Sequence, residues 1–296
     1  MKAFEYRAPR SLSEAVALLA EKGEKARPLA GGTDLIVQLR GGRLDLDFVV
    51  DIKWIPELNQ LSYDPASGLT IGAAVPCYRI YEDPVIRRVY PGLVDAASII
   101  GGIGIQGRAT WGGNLCNSSP SGDTIPALMV LGATCTIAGP NGTRTVPVEQ
   151  FCTAPGRNVL RRGEMLVSFH IPVPLPHSGA YYLRFIPRNE MDIAVVGAGA
   201  SVVLSNDLST ITAARIALGA VAPTPLLAES AGNALIGKRI SDETIAEAAR
   251  LAQQAARPIT DMRGTIAQRR HLVGVLTKRA LHGAIERAQK GASHAH

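Results

Sequence analysis

The chain has 296 residues, 46% of them hydrophobic, enough for one large domain or two ordinary ones that bury their own cores. It carries 31 Lys and Arg against 25 Asp and Glu, a formal charge of +6, with only 5% aromatics and no basic-aromatic interleaving. That argues against nucleic acid as a partner and leaves the basic surplus to solubility or to an anionic ligand.

No run of about 18 apolar residues is present and no charged-then-apolar leader opens the sequence, so a cytoplasmic protein without a membrane span is expected. Cys77, Cys116, Cys135 and Cys152 form no C-x-x-C pair. His170, His177, His271 and His282 are scattered, and His294 and His296 lie in a polar tail. Neither set has the spacing of zinc or iron–sulfur ligands, so no metal is expected on this chain.

In chain order, Ser11 and Glu14 have the form of a capping box, Leu12, Ala15, Val16 and Leu19 follow at helical spacing, and Gly23 is placed to end the helix. Short apolar or β-branched runs at Arg27 to Ala30 and Phe48 to Ile52 read as strands, with the glycine stretch AGGTDL in the turn between them. Leu69 to Ala73 reads as a strand and Pro84 to Ile100 as helical. Cys135 to Ala138 and Thr143 to Pro147 flank Gly139-Pro140-Asn141-Gly142 as a hairpin. Glu164 to Ile171 is a further strand, closed by the proline-rich stretch from Pro172 to Gly179, the best domain boundary in the chain. Beyond it, strand-like runs at Tyr181 to Ile186, Asp192 to Leu204 and Ile211 to Val221 precede helical patterns at Leu226 to Leu235, Asp242 to Ala256 and Thr265 to Ala288. Strands followed by helices predict a small α+β domain.

The segment Arg108 to Asp123, RATWGGNLCNSSPSGD, repeats the chemistry of AGGTDL. Gly112 and Gly113 lack side chains, and Thr110, Asn114 and Asn117 around them can donate hydrogen bonds. Two such bare loops in one domain can face one pyrophosphate from two sides, because exposed backbone amides form an anion-holding concavity. Taken singly, each Gly-Gly reads more readily as a plain turn. Two further patterns carry nothing. Val196 to Val202 lacks the third glycine of a dinucleotide fingerprint and reads as a strand with small residues. No phosphate-loop lysine motif occurs, and Ser118 and Ser119 do not sit in G-x-S-x-G.

Together, AGGTDL at Ala30 to Leu35, ATWGGNLCNSSPSGDTIPAL at Ala109 to Leu128, GEMLVSFHIP at Gly163 to Pro172 and RNEMDIAVV at Arg188 to Val196 resemble the FAD-binding subunit of molybdenum-containing hydroxylases. That is the xanthine dehydrogenase and aerobic carbon monoxide dehydrogenase family. LGAVAPTP at Leu218 to Pro225 and RRHLVGVLTKRAL at Arg269 to Leu281 extend the resemblance over nearly the whole chain.

The resemblance implies an α+β fold. Residues 1–176 would be an FAD-binding domain of the vanillyl-alcohol-oxidase (PCMH) type, in subdomains of about 1–55 and 56–176. Residues 177–289 would be a C-terminal domain of antiparallel sheet plus helices, and 290–296 a polar tail. It makes Ala30, Gly31, Gly32, Thr33, Asp34 and Leu35 the first pyrophosphate segment and Thr110, Gly112, Gly113 and Asn114 the second. Asp123 matches an acidic residue touching the flavin, with a plain helix N-cap as the alternative. Leu166 matches an apolar residue beside the ring. Arg184 and Ile193 fall near the isoalloxazine, with ordinary strand packing as the alternative. Three departures bear on the loop: Gly104 to Arg108 reads GIQGR where relatives carry more polar side chains, Trp111 replaces an aliphatic, and Arg184 replaces Lys.

The implied function is electron transfer. FAD on this chain would take electrons from a small iron–sulfur subunit, fed by a large molybdenum subunit, and pass them to NAD, quinone or dioxygen, the whole forming a dimer of heterotrimers. Two rival classes remain. A stand-alone FAD-dependent oxidoreductase would need a proton donor and substrate pocket in the C-terminal part, and none stands out there. A non-catalytic assembly protein would have no use for two intact glycine segments.

Overall fold

The computed structural model describes residues 2–292; His294, His296 and the end of the polar tail lie outside the described residues. Among the described residues three larger sheets carry the fold, beside a two-stranded one of Cys152–Ala154 and Arg157–Asn158. The first is parallel, with Phe48–Asp51 between Glu5–Arg7 and Ala26–Leu29. Parallel neighbours need crossover connections, and the helices Leu12–Lys22 and Leu35–Arg40 supply them. Ser11 caps the first of these by accepting from the Glu14 N–H, and Ala15, Val16 and Leu19 form its buried face. The Glu14 carboxylate reaches back to the Arg10 N–H rather than to Ser11. Gly23 ends the helix at φ 57°, donating to the Leu19 carbonyl.

The second sheet is antiparallel, in the order Leu61–Asp64, Gly68–Gly72, Met165–Ile171, Thr134–Gly139, Gly142–Pro147. The hairpin turns at Pro140 and Asn141, as expected. Short helices spanning 77–130 cover this sheet and build the largest apolar core, around Leu69, Ile71, Leu93, Leu128, Ile137 and Phe169. The helical run expected from Pro84 to Ile100 is broken into Pro84–Val89 and Pro91–Ala97, because Pro91 disfavours helical geometry at Tyr90 and can start a helix but not continue one. Cys77–Glu82 is a further helix that the sequence pattern did not single out.

The third sheet is an antiparallel meander of Ser178–Phe185, Val196–Leu204, Ile211–Gly219 and Leu226–Leu227. Helices Asp242–Ala255 and Ile266–Ala292 pack on it. The approach is close. A Cβ at Gly179 would overlap the Ala284 carbonyl, and one at Gly199 would stand 3.1 Å from the Pro126 carbonyl oxygen. This accounts for the small residues of the Val196 to Val202 run, which is a strand. The helical pattern expected from Leu226 is realised only at Glu229–Asn233, after Leu226 and Leu227 pair with Leu218 and Ala217. No helix among the described residues is long and apolar enough to cross a membrane.

Candidate cofactor site

Both glycine segments face one cavity of about 770 Å³ between the first and second sheets. Ala30, Gly31, Gly32, Thr33, Asp34 and Leu35 form one wall, and Thr110, Gly112, Gly113 and Asn114 the opposite one. The second segment is not a bare loop. It is the first turn of the helix Trp111–Asn117, whose N-cap Thr110 accepts from the Gly113 N–H at 3.0 Å. The first segment runs directly into the helix Leu35–Arg40. Each wall therefore presents a helix start, where backbone N–H groups lack partners within the helix. Among the described residues the N–H groups of Gly31 to Leu35 find no protein acceptor.

The glycines divide by role. A Cβ at Gly31 would overlap the Arg108 carbonyl oxygen, and one at Gly112 the Ala73 carbonyl, so these two are bare because the chain crosses itself there. Gly32 sits at φ 77°, which favours glycine. Only at Gly113 does the Cβ direction meet little protein, with the nearest atom Thr110 Oγ1 at 3.0 Å. The flanking amides are oriented by neighbours. Asn114 Oδ1 accepts from the Thr124 hydroxyl at 2.7 Å, and Asn117 Oδ1 accepts from Gln38 Nε2 at 3.1 Å, so both amino groups are left as donors. The Gln38 bond also ties the two walls together.

The far end of the cavity is apolar, with Ala73, Ile100 and Leu166. Leu166 reaches it through an irregularity of the central strand: register shifts between Leu166 and Ser168, so Met165, Leu166 and Val167 are buried in succession. Ile100 belongs to a partition, residues 99–102, whose other face lines a second cavity of about 470 Å³ with Ile99, Gly101, Gly102, Arg184 and Glu190. Gln106 shapes the partition, donating from Nε2 to the Ser98 carbonyl at 2.8 Å and the Ile100 carbonyl at 3.2 Å. The sequence had pointed to lost polarity in this stretch, yet its one buried amide fixes the wall. Trp111 is fully buried, its indole N–H without a protein acceptor.

Three of the expected site residues, Asp123, Arg184 and Ile193, are not in the lining of this cavity. Asp123 makes no capping bond with its helix; its carboxylate accepts from the Tyr182 hydroxyl at 2.8 Å and from the Arg184 guanidinium. Burial raises its pKa, against the opposing pull of Arg184 and Tyr182. Arg184 donates in addition to the Ile99 carbonyl at 2.7 Å, so it holds the partition from behind. Ile193 is exposed and lines neither cavity.

Electrostatically, Arg27, Arg157, Arg161 and Arg162 outnumber Glu24, Asp34 and Glu164 on the first cavity's walls, a field suited to an anion. Glu164 is held by Arg144 through a bidentate pair of 2.8 and 2.7 Å and by the Arg161 N–H, which lowers its pKa. Desolvation raises the pKa of Asp34. Cys116 also lines the cavity, its thiol pushed up to about 12 by burial and then by Cys152 nearby. Among the described residues no His, Cys, Asp and Glu side chains group as a metal site requires.

Comparison with known proteins places these features. The FAD binding domain in molybdopterin dehydrogenase matches residues 2–174, and the CO dehydrogenase flavoprotein C-terminal domain matches 181–284. The xanthine dehydrogenase FAD-binding subunit of Escherichia coli O157:H7 is 32% identical over 284 residues, covering 96% of this chain and 96% of that one. The carbon monoxide dehydrogenase medium chain of Hydrogenophaga pseudoflava is 33% identical over 281 residues, 95% and 96% of the two chains. Reconstituted CO dehydrogenase from Oligotropha carboxidovorans contains a chain that superposes with a TM-score of 0.92 at 30% identity, over 97% of this chain and 99% of that one. The cavity's size, its opposed helix starts and its free amides fit a dinucleotide. This chain belongs to the FAD-binding medium subunits of the xanthine dehydrogenase and carbon monoxide dehydrogenase family, and FAD is its cofactor.

Proposed function

We propose that this chain is the electron-exit subunit of a molybdenum hydroxylase, taking electrons from an iron–sulfur subunit and passing them to NAD, quinone or dioxygen. The observation that carries the reading is the single cavity walled by both glycine segments and closed by an apolar end, with residues 99–102 between it and the second cavity. FAD, when bound, supplies the step between two-electron and one-electron carriers. The chain's own residues bind and orient it. The N–H groups of Gly31 to Leu35 and the amides of Asn114 and Asn117 hold the pyrophosphate, Gly113 leaves it room, and Leu166 and Ile100 keep water from the ring. Ala30 and Thr110 set the two walls, Thr110 by capping.

Asp123 and Arg184 act at one remove in this reading, by fixing residues 99–102, and Ile193 belongs to the outer surface. The complex would be a dimer of heterotrimers with the iron–sulfur clusters and the molybdenum cofactor on its other chains; that a relative is a medium chain supports small and large partners. Removal of FAD from the assembled complex is the test. Substrate should still reduce the iron–sulfur clusters, whereas turnover with the natural acceptor should stop. Full acceptor turnover without flavin would overturn the reading.

A further inference from the structure

Among the described residues the long helix Ile266–Ala292 contributes nothing to the lining of either cavity, yet one of its side chains reaches across to the helices over the second sheet. Arg287 forms a bidentate pair with Asp95, at 2.6 and 2.9 Å, and donates to the Ala180 carbonyl at 2.7 Å. Its guanidinium also lies over the Tyr181 ring, 4.4 Å from the centroid. Asp95 accepts in addition from the Tyr182 N–H at 3.1 Å. Ser178–Phe185 is the outer strand of the third sheet, so the pair satisfies two backbone groups of an edge strand, the Ala180 carbonyl and the Tyr182 N–H. Bare backbone permits the approach. A Cβ at Gly92, on the Asp95 helix, would stand 3.1 Å from the Ala180 Cβ, and one at Gly283 would overlap the Tyr181 ring.

What Asp95 holds in place is the wall of the flavin site. It lies in the last turn of Pro91–Ala97, where a carboxylate opposes the helix dipole, so the helix itself gains nothing from it. The chain leaves that turn through Ser98 into the 99–102 partition, whose Ile100 lines the FAD cavity. The strand Ser178–Phe185 therefore grips this stretch twice, at Asp95 through the Tyr182 N–H and at the Ile99 carbonyl through Arg184. A planar guanidinium fixed to a carboxylate, a carbonyl and a ring at once leaves Asp95 little room to shift. We propose that Asp95 and Arg287 are positioning residues for the flavin, through which the C-terminal helix sets where the partition and Ile100 stand against the ring. The inference rests on the reading above that the ring lies at the Ile100 and Leu166 end, and it gives a helix remote from the cavity a part in tuning the cofactor.

The test uses the full chain loaded with FAD and reads the flavin absorption spectrum together with its midpoint potential relative to free FAD, which measures the preference of the site for reduced over oxidised cofactor. In Arg287→Gln and Asp95→Asn the loosened wall should admit water beside the ring, which favours the more highly charged reduced form. Preference for reduced FAD should then rise by about threefold or more, with loss of fine structure in the absorption band. Arg287→Lys keeps the charge without the fork and should show a smaller shift. Asp95→Asn retains an acceptor for the Tyr182 N–H, so the measurement stands even if Arg287→Gln fails to fold. Ile100→Ala removes part of the wall directly and should shift the flavin the same way. A pair that only fastened the helix would lower the melting temperature of the FAD-free chain and leave the bound flavin as in wild type. Wild-type spectra and potentials in Arg287→Gln and Asp95→Asn, beside a shifted Ile100→Ala, would therefore overturn the proposal. An unshifted flavin in Ile100→Ala would instead sink the placement of the ring, and the two failures are thereby distinct.

Discussion

The Asp123 carboxylate and the Arg184 guanidinium, 61 residues apart in sequence, meet in a buried ion pair across the junction between the helices over the second sheet and the first strand of the third. Both side chains are nearly inaccessible, and Tyr182 and the Ile99 carbonyl complete the cluster. Removing one partner of such a pair strands the other charge. Asp123→Ala should therefore lower the stability of the FAD-free protein by about 3 to 5 kcal/mol. Replacing Arg184 by Met in the same background should recover much of the loss. Melting curves of the single and double variants check this, and an unchanged apo melting temperature with weakened FAD retention would return Asp123 to direct flavin contact.

The glycines should separate by the atoms they face. Gly31→Ala and Gly112→Ala push a Cβ into a carbonyl of a neighbouring backbone segment, so both should impair folding with or without FAD. Gly113→Val adds bulk toward the cavity and should leave a folded protein that no longer retains flavin. Flavin absorbance per folded chain distinguishes the outcomes, and normal flavin content in Gly113→Val would show that the ligand does not approach there.

Glu164 gives a pH dependence of known sign. Its folded-state pKa is lowered, chiefly by the Arg144 hydrogen bonds. Its contribution is therefore fully present above the unfolded value of about 4.3 and is lost as pH falls through the lower folded value. Glu164→Gln should cost about 2 kcal/mol at neutral pH. Below about pH 4.3 the gap between variant and wild type should close. Denaturant titrations at both pH values measure it.

Thiol chemistry should be slow in the native state. Burial pushes Cys77 and Cys116 up to about 12 and raises Cys135 and Cys152 as well, so little thiolate exists at neutral pH. Alkylating reagents should label the folded chain much more slowly than the denatured one. Prompt labelling of Cys116 in the FAD-loaded protein would contradict its placement in the cavity wall.

Much of this was legible from local pattern. The cap at Ser11, the stop at Gly23, the hairpin around Pro140 and the strands from Met165 to Gly219 follow from periodicity and turn residues acting over short spans. What stayed hidden depends on distant partners. Nothing near Gly31 says that Arg108 crosses it, so glycines that serve the chain look the same as those that serve a ligand. The helix Trp111–Asn117 looks like a loop in the sequence because two glycines outweigh Thr110, whose capping bond supplies what propensity lacks. The pairing of Asp95 with Arg287, 192 positions apart, has no local signature at all, nor has the pairing of Asp123 with Arg184.

The strand Met165–Ile171 lies at the centre of its sheet, yet it is the last of that sheet's strands in the chain. During synthesis Gly68–Gly72 and Thr134–Gly139 leave the ribosome as two separate hairpin arms, each with an unpaired edge waiting for a neighbour. Their register with each other is set only when Leu69 finds Ile171 and Thr134 finds His170, contacts of long sequence separation that form slowly. Leu166, at the apolar end of the flavin site, arrives on that same strand. A ribosome stalled shortly before it would hold a chain with both glycine segments already exposed and no pocket to receive the cofactor, so loading must follow closure of the sheet.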